Sequence, residues 1–65
     1  MILHEWKGHR IKVIYNDDGR PTPKHGVLVD ADEQFVSLET DRGLEAFRVE
    51  NIIRLERSED NDKKD

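Results

Sequence analysis

Two short stretches carry the residue types that could handle a ligand. "EQFVSLET" sets Gln34, Phe35 and Ser37 close together, and "AFRVEN" sets Arg48 beside Phe47. An aromatic ring offers a flat face for a nucleobase, a guanidinium holds a phosphate or a carbonyl, and an amide or hydroxyl bonds a base edge. Phe35 and Arg48 are thus candidates for stacking and for phosphate or carbonyl contact, with Gln34 or Ser37 at the edge of a base. The competing assignment is structural. In it Phe35 packs against the N-terminal arm or a neighbouring subunit, and Arg48 pairs on the surface with Glu39, Glu45 or Glu50.

Other chemistry finds less support. His4, Glu5 and His9 in "HEWKGH" lack the HExxH spacing, and on a helix a separation of five would turn the two imidazoles to different faces. "DADE", Asp30 to Glu33, lacks the ordered ligand spacing and terminal glutamate of a calcium loop. The chain holds no cysteine, which removes disulfides, thiolate ligands and a cysteine nucleophile. No Ser-His-Asp arrangement or glycine-rich phosphate loop is present, and a chain this short leaves little room for a deep pocket. The expectation is a protein that is not an enzyme, with no cofactor and no metal.

The elements that would position these residues are strands. Alternation of period two dominates. "RIKVIYN" sets Ile11, Val13 and Tyr15 against Lys12, Ile14 and Asn16. "DDGRPTPK" reads as a loop, on the strength of Asp18-Gly19 and two prolines. "HGVLVDA" sets Val27, Val29 and Ala31 against Leu28, "DADEQ" bends the chain, and "FVSLET" sets Val36 and Leu38 against Phe35, Ser37 and Glu39. "TDRG" is a hairpin turn with its glycine at the end. "LEAFRV" and "IIRLE" are the last two strands, separated by a brief turn at Glu50-Asn51. Gly26, inside the second strand, suits a sharp bend. Five short strands joined mostly by tight turns predict an all-β fold, a small and strongly bent five-stranded barrel. The barrel with its short arm, "MILHEWKG", occupies residues 1–56, Leu3 and Trp6 capping an open end. Residues 57–65, "RSEDNDKKD", contain nothing to bury and read as a disordered charged tail.

"GVLVDADEQFVSLET" and "AFRVENIIRLE" together resemble the two signature motifs of the Sm and Sm-like family, which includes bacterial Hfq. Gly26, Leu28 and Asp32 match the first motif. Phe47-Arg48-Val49-Glu50-Asn51-Ile52-Ile53 matches the second in its apolar residue, arginine, asparagine and branched apolar run. Gln34 to Val36 is similar to a stretch that contacts uridine in Hfq. The resemblance spans about Arg10 to Glu56. It departs from the family at Val36, at or beside which a base-reading asparagine would fall, and at Val49, where the family has glycine. The resemblance implies a small barrel and a homo-oligomeric ring in which the fourth strand of one subunit pairs with the fifth of the next. It also implies that single-stranded RNA binds through Gln34, Phe35, Ser37 and Arg48. "NIIRLE" would supply an assembling edge, with Ile52 and Ile53 pointing to opposite faces.

Composition bounds these readings. The net charge is −4, with 40% of the residues charged, which argues against holding nucleic acid by bulk charge and requires a local site. The N-terminal apolar run is too short for a signal peptide, and no segment approaches a membrane span. Together with the missing cysteine this predicts a soluble, cytoplasmic protein. The alternative function is a monomeric or dimeric module that docks onto a protein partner or larger assembly through Trp6 and the Ile52–Ile53 edge, without contacting RNA.

Overall fold

The computed structural model describes residues 5–58. Five strands form one antiparallel sheet: β1 (Arg10–Asp17), β2 (Arg20–Ala31), β3 (Phe35–Thr40), β4 (Gly43–Arg48) and β5 (Ile52–Arg57), in the order β4-β3-β2-β1-β5. A 3-10 turn, Val49–Asn51, joins β4 to β5, and no α-helix occurs among the described residues. The sheet does not close on itself. β4 and β5 are its two outer strands, so the all-β fold with five strands is present, as one open sheet.

The alternation that marks β1 also makes the core. Ile11 and Val13 are fully buried with Leu28, Val36 and Leu38, while Tyr15, Phe47, Val49, Ile52 and Leu55 pack around them. Two contacts between strands that are not neighbours reveal how far the sheet curls. The rings of Tyr15 on β1 and Phe47 on β4 lie 5.0 Å apart, and Lys24 Nζ on β2 lies 3.5 Å from a Glu45 carboxylate oxygen on β4. The core face is therefore concave, and Phe35, Ser37, Arg10 and Lys12 ride on the convex face.

Two features of β2 produce the curl. Gly26 is buried where β3 presses on it: a Cβ there would meet the Glu39 carbonyl oxygen at 2.8 Å and Leu38 Cβ at 3.1 Å. Only glycine admits so close a backbone. Further along, a bulge between Leu28 and Asp30 inserts Val29. Before the bulge Gly26 and Leu28 face the core; after it Ala31 does. That corrects the simple alternation, which set Val27, Val29 and Ala31 together. An extra residue flips the facing of all that follows, and Val29 is left exposed.

The expected loop over "DDGRPTPK" is also corrected. The turn has only two central residues, Asp18 and Gly19, with φ of 55° and 84°, the form that matches strand twist. Asn16 Oδ1 accepts the Gly19 N–H at 2.8 Å. Arg20 to Lys24 already belong to β2, and Pro21 and Pro23 stand opposite Asn16 and Ile14. The prolines fit because of the direction of their nitrogens. The Leu28 N–H donates to the His9 carbonyl on the β1 side, so even-numbered residues of this stretch bond towards β1 and odd-numbered ones point away. Pro21 and Pro23 point away, towards a flank that β3, whose pairing with β2 starts at Val27, does not cover. Proline is tolerated on such an edge.

At the ends, Trp6 lies in a short 3-10 turn and packs against the core; Leu3, its expected companion, lies outside the described residues. The last strand continues to Arg57, one residue into the expected tail, of which residues 59–65 also lie outside.

Candidate functional site

The bend between β2 and β3 is organised by one side chain. Asp32 Oδ1 accepts the backbone N–H groups of Gln34 at 2.7 Å and Phe35 at 2.8 Å, an Asx turn that the aspartate makes with its own chain. These two bonds, that from Phe35 first, hold the Asp32 carboxyl below its usual range, because both stabilise the charged form. The Asp32 N–H donates back to the Phe35 carbonyl at 2.9 Å. A fourth bond, from the Val49 N–H to the Gln34 carbonyl at 2.8 Å, ties the bend to the 3-10 turn after β4.

This clamp gathers three of the four residues expected to meet RNA. Phe35 stands directly opposite Arg48 in the β3–β4 ladder, and Gln34 precedes Phe35 at the same end of the sheet. Residues directly opposite share a face, with Cβ atoms about 4.5–5.5 Å apart. Ser37, opposite Ala46, lies on that same convex face two residues further along, about 6.6–6.8 Å away by strand rise. Phe35 keeps 40% of its surface exposed, enough to present a ring face.

Beside the pair lies a shallow concavity of about 250 Å³, lined by Glu33, Gln34, Arg48, Val49 and Glu50. Glu33, Val49 and Glu50 were missed as site residues. The signal was the "VEN" turn after Arg48, which brings Val49 and Glu50 back onto the bend. Arg48 Nε lies 3.1 Å from a Glu50 carboxylate oxygen, and both side chains are largely exposed. This is one of the surface pairings expected for Arg48. Exposed pairs contribute only about 0–1 kcal/mol, so an incoming acceptor can take the guanidinium from Glu50. With two carboxylates around one cation, the concavity suits a polar, uncharged edge better than an isolated phosphate.

The residues expected at an interface divide. Trp6 and Ile52 pack against the core, whereas Ile53 is 56% exposed on β5. At the opposite end of the sheet Leu44 on β4 is 67% exposed. Each outer strand thus carries one open aliphatic residue. Sequence reasoning missed Leu44, although its position right after the hairpin glycine on a convex-facing site was available.

Among the described residues no group of three or more His, Asp or Glu side chains could hold a metal ion, and no helix is long and apolar enough to cross a membrane. The chain matches no family model, no curated protein and no solved structure.

Proposed function

We propose that this chain is a non-enzymatic, Sm-like RNA-associated protein. In this reading it assembles head to tail through β4 and β5, completing the small barrel between copies, and takes single-stranded RNA on the surface around Phe35. The observation that carries the reading is the cross-strand pair of Phe35 and Arg48, an exposed ring and a displaceable guanidinium held side by side with Gln34 at a clamped bend. Phe35 would stack on a base, Arg48 would contact a carbonyl or phosphate, and Gln34 or Ser37 would bond a base edge. The cytoplasm belongs to the same reading, since a chain without cysteine suits a reducing compartment.

Charge supports the sense of assembly. Between Asp30 and Glu50, the β3–β4 half, seven carboxylates accompany two arginines; over the rest of residues 5–58, seven lysines and arginines accompany four carboxylates. Pairing like halves, as a two-fold dimer would, sets acid against acid. Pairing the β4 end of one copy with the β5 end of the next sets acid against base, a heterologous contact that closes into a ring when the rotation allows. Leu44 and Ile53 would be covered at that junction.

Light scattering at micromolar concentration and moderate salt tests the assembly: a six- or seven-fold mass is expected, and a monomer mass would sink the ring. Titration of a labelled uridine-rich RNA tests the site. Phe35→Ala and Arg48→Ala are each expected to weaken binding, with Arg48→Ala also flattening its salt dependence. Unchanged affinity in both variants would remove the pair from the site.

A second reading, a protein-docking module, is favoured by one observation: Arg48 already has Glu50 as its partner, while Leu44 and Ile53 are open. Salt separates the two readings, because phosphate contacts weaken steeply as it rises and an apolar edge does not.

A further inference from the structure

The convex surface behind the core residues of β1 has a charge opposite to that of the whole chain. Arg10 and Lys12 project from β1 on this face, since Ile11 and Val13 between and beyond them are buried. The ladder sets His25 of β2 opposite Lys12 and Glu56 of β5 opposite Lys12 on the other side, with Arg54 opposite Ile14. Paired residues share a face, so Arg10, Lys12, His25 and Arg54 lie together across three strands with Glu56 as the one carboxylate on those strands; one strand further, Glu39 and Asp41 line a hollow with Arg10 and His25.

That carboxylate does not neutralise the group. Glu56 lies 3.5 Å from Lys12 Nζ and 2.6 Å from Arg54 Nη2, so one negative charge serves two cations. The Arg10 guanidinium has neither ion pair nor side-chain hydrogen bond among the described residues. On β1, β2 and β5 three cations, Arg10, Lys12 and Arg54, thus share one carboxylate, on a protein with net charge −4, while Glu39 and Asp41 border the Arg10 side from β3 and its turn without pairing with it. Nothing in folding requires this. Charges on a solvated face contribute little to stability, and clustering like charges costs some of it. Arg10 and Lys12 stand two residues apart on one face, about 6.6–6.8 Å, a step that suits successive phosphates of an extended strand. The face lacks an exposed aromatic ring, so it can hold a backbone but has nothing to read a base with.

We infer that the convex face of β1, β2 and β5, built on Arg10, Lys12 and Arg54, is a second RNA contact that grips the phosphate backbone irrespective of sequence. The inference rests on the RNA-association reading above and adds to it a division of labour. Bases are met in the acidic half at Phe35, and backbone is held in the basic half. Binding by the face depends on RNA length and on salt, not on base identity. The acidic half of a neighbouring copy is the competing occupant, and the test is built to expose it.

The experiment is a fluorescence-anisotropy titration of the full chain with labelled uridine 30-mer and mixed-sequence 30-mer RNA, at several salt concentrations, for the wild type, Arg10→Gln, Arg10→Gln/Arg54→Gln and Phe35→Ala. Each variant's mass is measured by light scattering in the same buffers. Arg10→Gln is expected to weaken both RNAs about equally, and to make the slope of log affinity against log salt shallower by about 0.7, the share of one single-strand phosphate contact. The double variant is expected to lose about twice that, with mass unchanged. Phe35→Ala is expected to weaken the uridine strand more than the mixed one and to keep the wild-type slope. Wild-type affinity and slope in both arginine variants would overturn the inference and leave the Phe35 site standing. Weakening that tracks a fall in mass would overturn it too, by assigning the face to a neighbouring copy. If Phe35→Ala binds as wild type while the arginine variants do not, the base site falls and the backbone contact stands. No binding of either 30-mer by the wild type would overturn both.

Discussion

Replacing Gly26 by alanine tests the account of how this sheet bends. The added Cβ would sit 2.8 Å from the Glu39 carbonyl oxygen, whereas ordinary contacts begin at 3.4 Å, and Leu38 Cβ and Thr40 Cγ2 close the other sides at 3.1 Å. The nearest obstacle is backbone, so β3 itself must retreat by about 0.6 Å. Its route is blocked, because Leu38 is fully buried and Thr40 is held by the Arg42 N–H and by the Glu45 carboxylate. Overfilling of this kind costs about 1–3 kcal/mol. Alanine recovers about 0.5–1 kcal/mol through its smaller loss of backbone freedom, leaving a net loss of about 1–2 kcal/mol. Domains carry about 0.05–0.15 kcal/mol of stability per residue, so a chain of this length has about 3–10 kcal/mol to lose. At about 4–8 °C per kcal/mol, the melting temperature of Gly26→Ala is expected to fall by about 5–15 °C. Thermal unfolding by circular dichroism, with Trp6 fluorescence as a second probe, measures it. Gly26→Val should fall further, since its γ carbons meet the same wall. A melting temperature for Gly26→Ala at or above that of the wild type would refute the close approach of β3 and with it this explanation of the curl.

Three further outcomes follow from the geometry. Leu38→Ala empties a fully buried site and should cost about 2–5 kcal/mol, enough to leave much of the chain unfolded at room temperature; a variant with a wild-type urea midpoint would contradict the core assignment. Gly43→Ala places a side chain at φ 114° in open space, so its loss comes from backbone strain alone, about 1–2 kcal/mol, and Gly43→Asn should lose less than Gly43→Ala, as urea titration of both would reveal. The Asp32 carboxyl is held below its usual range by the N–H groups of Phe35 and Gln34. Its contribution is thus full above the unfolded value near 3.9 and is lost as pH falls through the lower folded value. Asp32→Asn should therefore show a shallower loss of stability on acidification in that window, and an unchanged acid limb would remove Asp32 from it.

How legible was this in the sequence? The alternation of Ile11, Val13 and Tyr15, and of Val36 and Leu38, separated the two faces of β1 and β3 as the fold has them, because period two sends successive side chains to opposite sides of a strand. The hairpin at Asp41-Arg42 was equally plain from its glycine. Two readings failed for a shared reason: each used a local signal where a neighbouring strand decides. Pro21 and Pro23 read as loop because proline has no N–H to donate, but no donor is needed on a flank that β3 does not reach. Val29 read as the partner of Val27 until the bulge opposite Leu38 and Ser37 shifted it, and no residue type marks that shift. At the site, Phe35, Gln34 and Arg48 were found through resemblance to a motif. Of the carboxylates that temper Arg48, Glu50 was among the expected partners and Glu33 was hidden, because the fold of the "VEN" turn onto the bend depends on a single backbone bond from Val49 to Gln34.

The uncovered flank of β2 has a consequence beyond its own strand. A bent sheet with a ragged middle would offer three places for another strand to join: its two outer strands and the stub where β3 stops. Pro21 and Pro23 turn their rings to the stub where donors would be, so a joining strand finds carbonyls there but, between Arg20 and His25, no continuous row of N–H groups. In the proposed assembly the unit keeps two ends of opposite charge for joining, a valence of two. Particles of valence two cannot branch or build sheets and networks. They form chains, and the angle between successive links decides whether a chain bites its own tail.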